Sequence, residues 1–155
     1  MAAPHIELRF VAPDDALIAA ERQLRFRVLR DPLGLGEQDV LFAFEDRSLH
    51  LLALGQIAAE SAEPEVIGCV LFFAESQGAG KLYQMAVDLP HQRHGLGRRM
   101  IAHLEGRLRS DGVGRIYLNA RETALGFYEK LGYRAEGEPF IEVGIPHQRM
   151  VKLLK

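Results

Sequence analysis

The chain is short of cysteine: one among 155 residues. A lone thiol excludes an internal disulfide framework and any multi-cysteine metal site. Cys69 lies in the apolar run Val66–Ala74 and is expected to be a small core residue. The six histidines, at 5, 50, 91, 94, 103 and 147, show no HExxH pattern or other ligand spacing, so no metal is expected. No apolar run approaches the roughly 20 residues that span a bilayer. The first ten residues, MAAPHIELRF, lack the basic-then-apolar order of a signal peptide. The expectation is a cytoplasmic protein with no membrane partner. A net charge of −2 with mixed signs gives no drive towards nucleic acid. Both GxxxxGK[ST] and GxGxxG are missing, which disfavours a nucleotide-binding domain. There is no internal repeat, low-complexity stretch or linker, and the length suits a single domain over 1–155.

What is present is an alternation of strand and helix signals. His5–Val11 alternates apolar and polar residues and predicts a half-buried strand. Leu17, Ala20, Leu24 and Val28 share one face of a helix that runs to about Arg30, where Pro32 stops it. Arg22 and Arg25 are expected on its solvated face, while Arg27 and Arg30 flank its end and could face a pocket. Residues 35–46 read as a loop or short helix, Leu49–Leu54 as a strand and Gln56–Pro64 as a polar turn region. Val66–Ala74 is continuously apolar and β-prone, which predicts a central strand. Further on, Met100, Ile101, Leu104 and Leu108 form a helical stripe ended by Gly112 and Gly114. Arg115–Asn119 predicts a strand, and Glu122–Leu131 a helix with Ala124, Phe127, Tyr128 and Leu131 inward, closed by Gly132. Tyr133 opens another strand. Phe140–Val143 and His147–Leu154 complete the sheet around a turn at Gly144-Ile145-Pro146.

Lys81–Arg99 organises the rest. Leu82–Val87 reads as a strand, Pro90 breaks it, and Gln92-Arg93-His94-Gly95-Leu96-Gly97 leads into the next helix. A strand, a glycine turn and a helix N-terminus together build an anion site. The first N–H groups of a helix lack partners within it, and the dipole is positive at that end.

Gln92-x-x-Gly95-x-Gly97 after a strand, followed one β-α unit later by Phe127-Tyr128-Glu129-Lys130-Leu131-Gly132-Tyr133, resembles the GNAT superfamily of N-acetyltransferases. LNARETALGFYEKLGY and PFIEVGIPH are similar to an ElaA/YjcF-like subgroup. The resemblance covers nearly the whole chain. It implies an α/β (α+β) single-domain GNAT fold, with a mixed, mostly antiparallel sheet of about 6–7 strands and helices on both faces.

The resemblance also implies acetyl-CoA as donor. The backbone of Gln92, Arg93, His94, Gly95, Leu96, Gly97 and Arg98 would hold the pyrophosphate, with the side chain of Arg93 or Arg98 adding a contact. The strand at Met85, Ala86 and Val87 would guide the pantetheine, one amide (Met85) polarising the thioester carbonyl. Phe127 and Tyr128 would lie by the thioester, with Tyr128 as acid to the leaving thiolate. Members of the family commonly carry asparagine seven residues before this tyrosine. Here that position is Arg121, whose guanidinium suits a carboxylate or phosphate.

Acetyl transfer needs a neutral amine. Glu142, His147 and the acidic residues of 37–46 are the candidate bases, and Arg27 and Arg30 the candidate acceptor-binding residues. The implied function is N-acyl transfer from acetyl-CoA to a primary amine of a small molecule or peptide. The alternative is a catalytically silent CoA-binding sensor. Because GNAT proteins often pair through the sheet or C-terminal strands, a homodimer is an open expectation.

Overall fold

The computed structural model describes residues 5–55 and 63–155. Most of the polar turn expected at Gln56–Pro64 lies outside the described residues. Strands β1 (Ile6–Val11), β2 (Leu49–Gly55), β3 (Glu65–Ser76), β4 (Ala79–Val87), β5 (Arg115–Arg121), β6 (Arg134–Ala135), β7 (Phe140–Glu142) and β8 (Ile145–Leu153) form one sheet. Its order is β1-β2-β3-β4-β5-β8-β6, with β7 also on β8, and every pairing is antiparallel except β4 with β5. The sheet has eight strands rather than six or seven, because two short segments, β6 and β7, both find partners on the long β8.

Helices cover both faces, as expected, and the side-chain alternation of β2 explains why LHLLAL is so apolar. Leu51 and Ala53 join a core with Met100, Ile101, Leu104 and Leu108 of α2 (Leu96–Ser110) and Tyr128 of α3 (Leu125–Lys130). Leu52 and Leu54 join a second core with Cys69 and with Leu24 of α1 (Ile18–Arg25). Strands buried on both faces lose the alternation of hydropathy that marks a half-exposed one. The helix predicted to Arg30 is α-helical only to Arg25. It then widens to a π-turn over Phe26–Arg30, closed by a 3-10 turn at Asp31–Leu33. No helix among the described residues is long and apolar enough to cross a membrane.

Two sequence expectations are corrected. The turn between β7 and β8 is Val143-Gly144, both with positive φ, so Ile145 and Pro146 belong to the strand. A two-residue hairpin needs this conformation to match the twist of its strands. Arg25 is not on a solvated face; its side chain is fully buried. Its guanidinium donates to Glu21 Oε1 at 2.8 Å and to Glu45 Oε1 at 2.7 Å, and also bonds the Val40 carbonyl. His50 completes the network, with Nδ1 2.8 Å from Glu21 Oε2 and Nε2 2.8 Å from the Glu45 carbonyl. Both ring nitrogens face acceptors, which favours the imidazolium, the form in which two cations would balance the two interior carboxylates.

That balance makes stability depend on pH. Burial alone would lower the His50 pKa, but the bond and charge of Glu21 outweigh it and raise it above 6.5. A group with a raised folded pKa stabilises fully below its unfolded value and loses that contribution as pH rises through the folded value. We expect the denaturant midpoint to fall between pH 6 and 9, and His50→Gln to remove most of that slope. Equal slopes in the two proteins would refute the imidazolium.

Candidate active site

The site begins where two strands part. β4 and β5 are paired only over Ala79–Lys81 with Arg115–Tyr117. Beyond that, Leu82–Val87 of β4 has no partner on β5, and Leu118–Arg121 of β5 continues with β8 alone. β4 also bulges: Tyr83 pairs with Leu71 and Ala86 with Cys69, leaving Gln84 and Met85 opposite Val70 alone. Gln84 takes φ of 51°, uncommon for a residue with a Cβ, and accepts at Oε1 from Arg25 Nε at 3.2 Å. The buried network therefore reaches the bulge. Between the diverging strands lies a cleft of about 320 Å³.

The α2 face of this gap is built by the glycine turn. Pro90 sits in a 3-10 turn, Leu89–His91, capped by the Asp88 side chain. Gln92 Nε2 then donates to the Val87 carbonyl at 2.8 Å and ties the turn to the end of β4. Arg93 and Gly95 are left-handed, with φ of 66° and 82°. Gly95 caps α2 without a side-chain bond, so the first N–H groups of the helix have no side-chain acceptor there. Gly97 is needed for a different reason: a Cβ there would stand 3.2 Å from Met85 Cε and from Phe127 Cζ. With one, Met85 and Phe127 would have to give way by a few tenths of an ångström for the first turn of α2 to lie this close to β4 and α3. Arg93, His94 and Arg98 are exposed around the turn.

Tyr128 borders the cleft from α3. It is 6% exposed and packs edge-on against Phe127 and Tyr133. Its hydroxyl has no hydrogen-bond partner among the described residues, and burial pushes its pKa far above that of a free phenol. It is protonated at any physiological pH. Phe127, expected to face inward, is 37% exposed at the mouth beside Gly97.

The α1 face carries the charged groups. Ile116, Leu118 and Ala120 of β5 point into the α2-side core, so Asn119 and Arg121 point the other way. Arg121 is the register partner of His147 on β8, and His147 that of Phe140 on β7. His147 Nδ1 lies 2.9 Å from the Ile145 carbonyl and Nε2 3.5 Å from Glu142 Oε2. Arg30 reaches the same cleft from the π-turn.

The fold thus brings Met85, Tyr128, Arg121, Arg30, Glu142 and His147 to one cleft. Ala86 turns its side chain into the α1-side core. Arg27 is not at the cleft. It is half exposed and ion-paired to Asp88 at 2.9 Å, bracing the π-turn against the end of β4. The Gln84 bulge and its tie to Arg25 had no sequence signal. The i,i+4 spacing of Glu21 and Arg25 is a signal, but charges beside an apolar stripe usually face water.

Residues 55–154 match the model of the acetyltransferase (GNAT) domain. The uncharacterized N-acetyltransferase YjcF of Bacillus subtilis is 38% identical over 76 residues, which are 48% of this chain and 54% of YjcF. The chain spans 65% and 49% of the lengths of two further curated relatives from the same organism. Among solved structures, Escherichia coli ElaA superposes with a TM-score of 0.79 at 17% identity, covering 96% of this chain and 99% of ElaA. An aminoglycoside 6'-N-acetyltransferase complexed with coenzyme A superposes at 0.73 with 16% identity, over 96% and 97% of the two chains. With the family model covering most of the chain, this protein belongs to the GNAT acetyltransferase family, with YjcF among its sequence relatives and a fold shared with ElaA.

Proposed function

We propose that the cleft catalyses N-acyl transfer from acetyl-CoA to a primary amine of a small molecule or peptide. The observation that carries this is the parting of β4 from β5 after Lys81 and Tyr117, between a glycine-capped helix start and Tyr128, which borders the cleft. The free β4 edge offers backbone groups to the amides of a pantetheine arm. The N–H groups from Gln92 to Arg98 offer an anion site for its pyrophosphate. The donor supplies a thioester whose carbonyl carbon takes the amine.

The residues then have separate tasks. The Met85 amide, freed by the bulge, polarises the thioester carbonyl. Glu142 and His147 take the proton that the amine sheds. With Nδ1 donating to Ile145, Nε2 is left to share that proton with the carboxylate. The C–N bond forms, the C–S bond breaks, and Tyr128 gives its proton to the departing sulfur. Positioning supplies much of the acceleration, because both reactants meet in one narrow gap.

The test is thiol release from acetyl-CoA with a panel of amines, beside calorimetry with CoA. Turnover on at least one amine is expected. Tight CoA binding with no turnover on any amine would assign the protein as a sensor instead.

A further inference from the structure

We infer that the acceptor carries a carboxylate, which Arg30 and Arg121 bind together on the α1 face of the cleft. This rests on the acyl-transfer reading and names the acceptor class for the same site. The two guanidiniums meet at one carbonyl: Arg121 Nη2 donates to Leu29 O at 2.6 Å and Arg30 Nη1 to the same oxygen at 3.3 Å. Arg30 Nε donates to the Asp39 carbonyl at 3.1 Å. These neutral acceptors use few of the five donors that each guanidinium carries.

Neither has a carboxylate within 4.0 Å among the described residues, which sets this pair apart. Arg25, Arg115 and Arg149, the other arginines that are not fully exposed, all have one. The arginines without one, at 93, 98, 99 and 134, are exposed to water. Arg30 is only 8% exposed. Burial and the charge of Arg121 both press its pKa down, which a bound anion would relieve. The nearby acids are otherwise engaged: Asp39 accepts from the Gly36 N–H at 2.8 Å, and Glu142 faces His147. Two like charges held together in a partly buried cleft, with no carboxylate in ion-pair contact and only the more distant Glu142 and Asp39 to offset them, are costly, and a ligand anion supplies the missing contact.

Two further features narrow the class. Glu142 and Asp39 border the same cleft, so a singly charged carboxylate suits it better than a phosphate dianion. Arg121 and His147 are register partners across β5 and β8, and Arg30, Arg121, Glu142 and His147 all line one cleft. A carboxylate on the arginines and an amine at the Glu142–His147 pair can therefore belong to one small molecule, which points to amino acids as the class.

The experiment compares amines that differ in one group: β-alanine, O-phosphoethanolamine and propylamine at the far end, and phenylalanine with phenethylamine at the α-carbon. Thiol release from acetyl-CoA gives kcat/KM for each. We expect the carboxylates to exceed their neutral counterparts at least about tenfold, the scale of one charge-assisted bond. Arg121→Gln should collapse that ratio towards one, mainly through KM, and Arg121→Lys should restore part of it. Arg30→Gln should behave alike; if it fails to fold, Arg121→Gln decides. Equal rates for carboxylate and neutral amines, or a ratio unchanged in Arg121→Gln, would overturn the inference. A preference for O-phosphoethanolamine over β-alanine would overturn the carboxylate and give the arginines to phosphate. If no amine is turned over, calorimetry in the presence of CoA decides: N-acetylphenylalanine must bind at least tenfold tighter than N-phenethylacetamide, and equal affinities overturn the inference. A protein that fails to bind CoA at all overturns the acyl-transfer reading itself.

Discussion

Gly95→Glu is expected to abolish CoA binding, with a Kd at least about a hundredfold weaker by calorimetry. Two effects act together. Gly95 sits at φ of 82° as the N-cap of α2, where any residue with a Cβ is strained. Its carboxylate would also stand among the helix N–H groups proposed to hold the pyrophosphate, repelling that anion and competing for its donors. Overpacking would not account for the loss, since the nearest heavy atom to a Cβ here is Arg98 Nη2 at 4.0 Å. Gly95→Asn separates the two effects, because asparagine tolerates the left-handed region and carries no charge. It should stay within about tenfold of the parent, the cost being conformational. Near-normal affinity in Gly95→Glu would move the pyrophosphate elsewhere.

Tyr128→Phe should lower kcat by about ten- to a thousandfold, the scale of a lost proton donor, and leave CoA affinity nearly unchanged. The ring packs against Phe127 and Tyr133, and phenylalanine fills the same space. The hydroxyl has no protein partner to strand, so folding should not suffer. Because burial holds the phenol protonated far above neutral pH, Tyr128 itself contributes no limb to the pH–rate profile between pH 6 and 9. A profile of unchanged shape with a uniformly lower kcat is therefore expected. An unchanged kcat would remove Tyr128 from the mechanism.

Local signals located most elements. The stripe at Met100, Ile101, Leu104 and Leu108 became the buried face of α2, and the turn at Gly95 became its N-cap. Leu49–Leu54 and Val66–Ala74 were legible as strands because both faces of the sheet are covered, which leaves their residues almost uniformly apolar. What failed was anything that depends on which residue lies opposite. Arg25 has the composition of a surface position, yet it bonds Glu21 of its own helix and Glu45 from a distant turn, with His50 of β2 closing the network through both. Arg27 and Arg30 look alike in sequence. Three residues along the π-turn separate an exposed ion pair with Asp88 from a buried guanidinium in the cleft.

The sequence by itself determined the order of elements, the apolar faces and the glycine turn, because each rests on periodicity or on the conformational freedom of one residue. It also carried the family, through Gln92-x-x-Gly95-x-Gly97 and the segment around Tyr128. Only the tertiary structure decided how far β4 stays with β5, that β4 bulges at Gln84, and that Arg30, Arg121, Glu142 and His147 share one face of the resulting gap. Strand divergence and the pairing of side chains from distant segments are set by long-range register. No local pattern in the chain encodes that register, although the chemistry of the cleft depends on it.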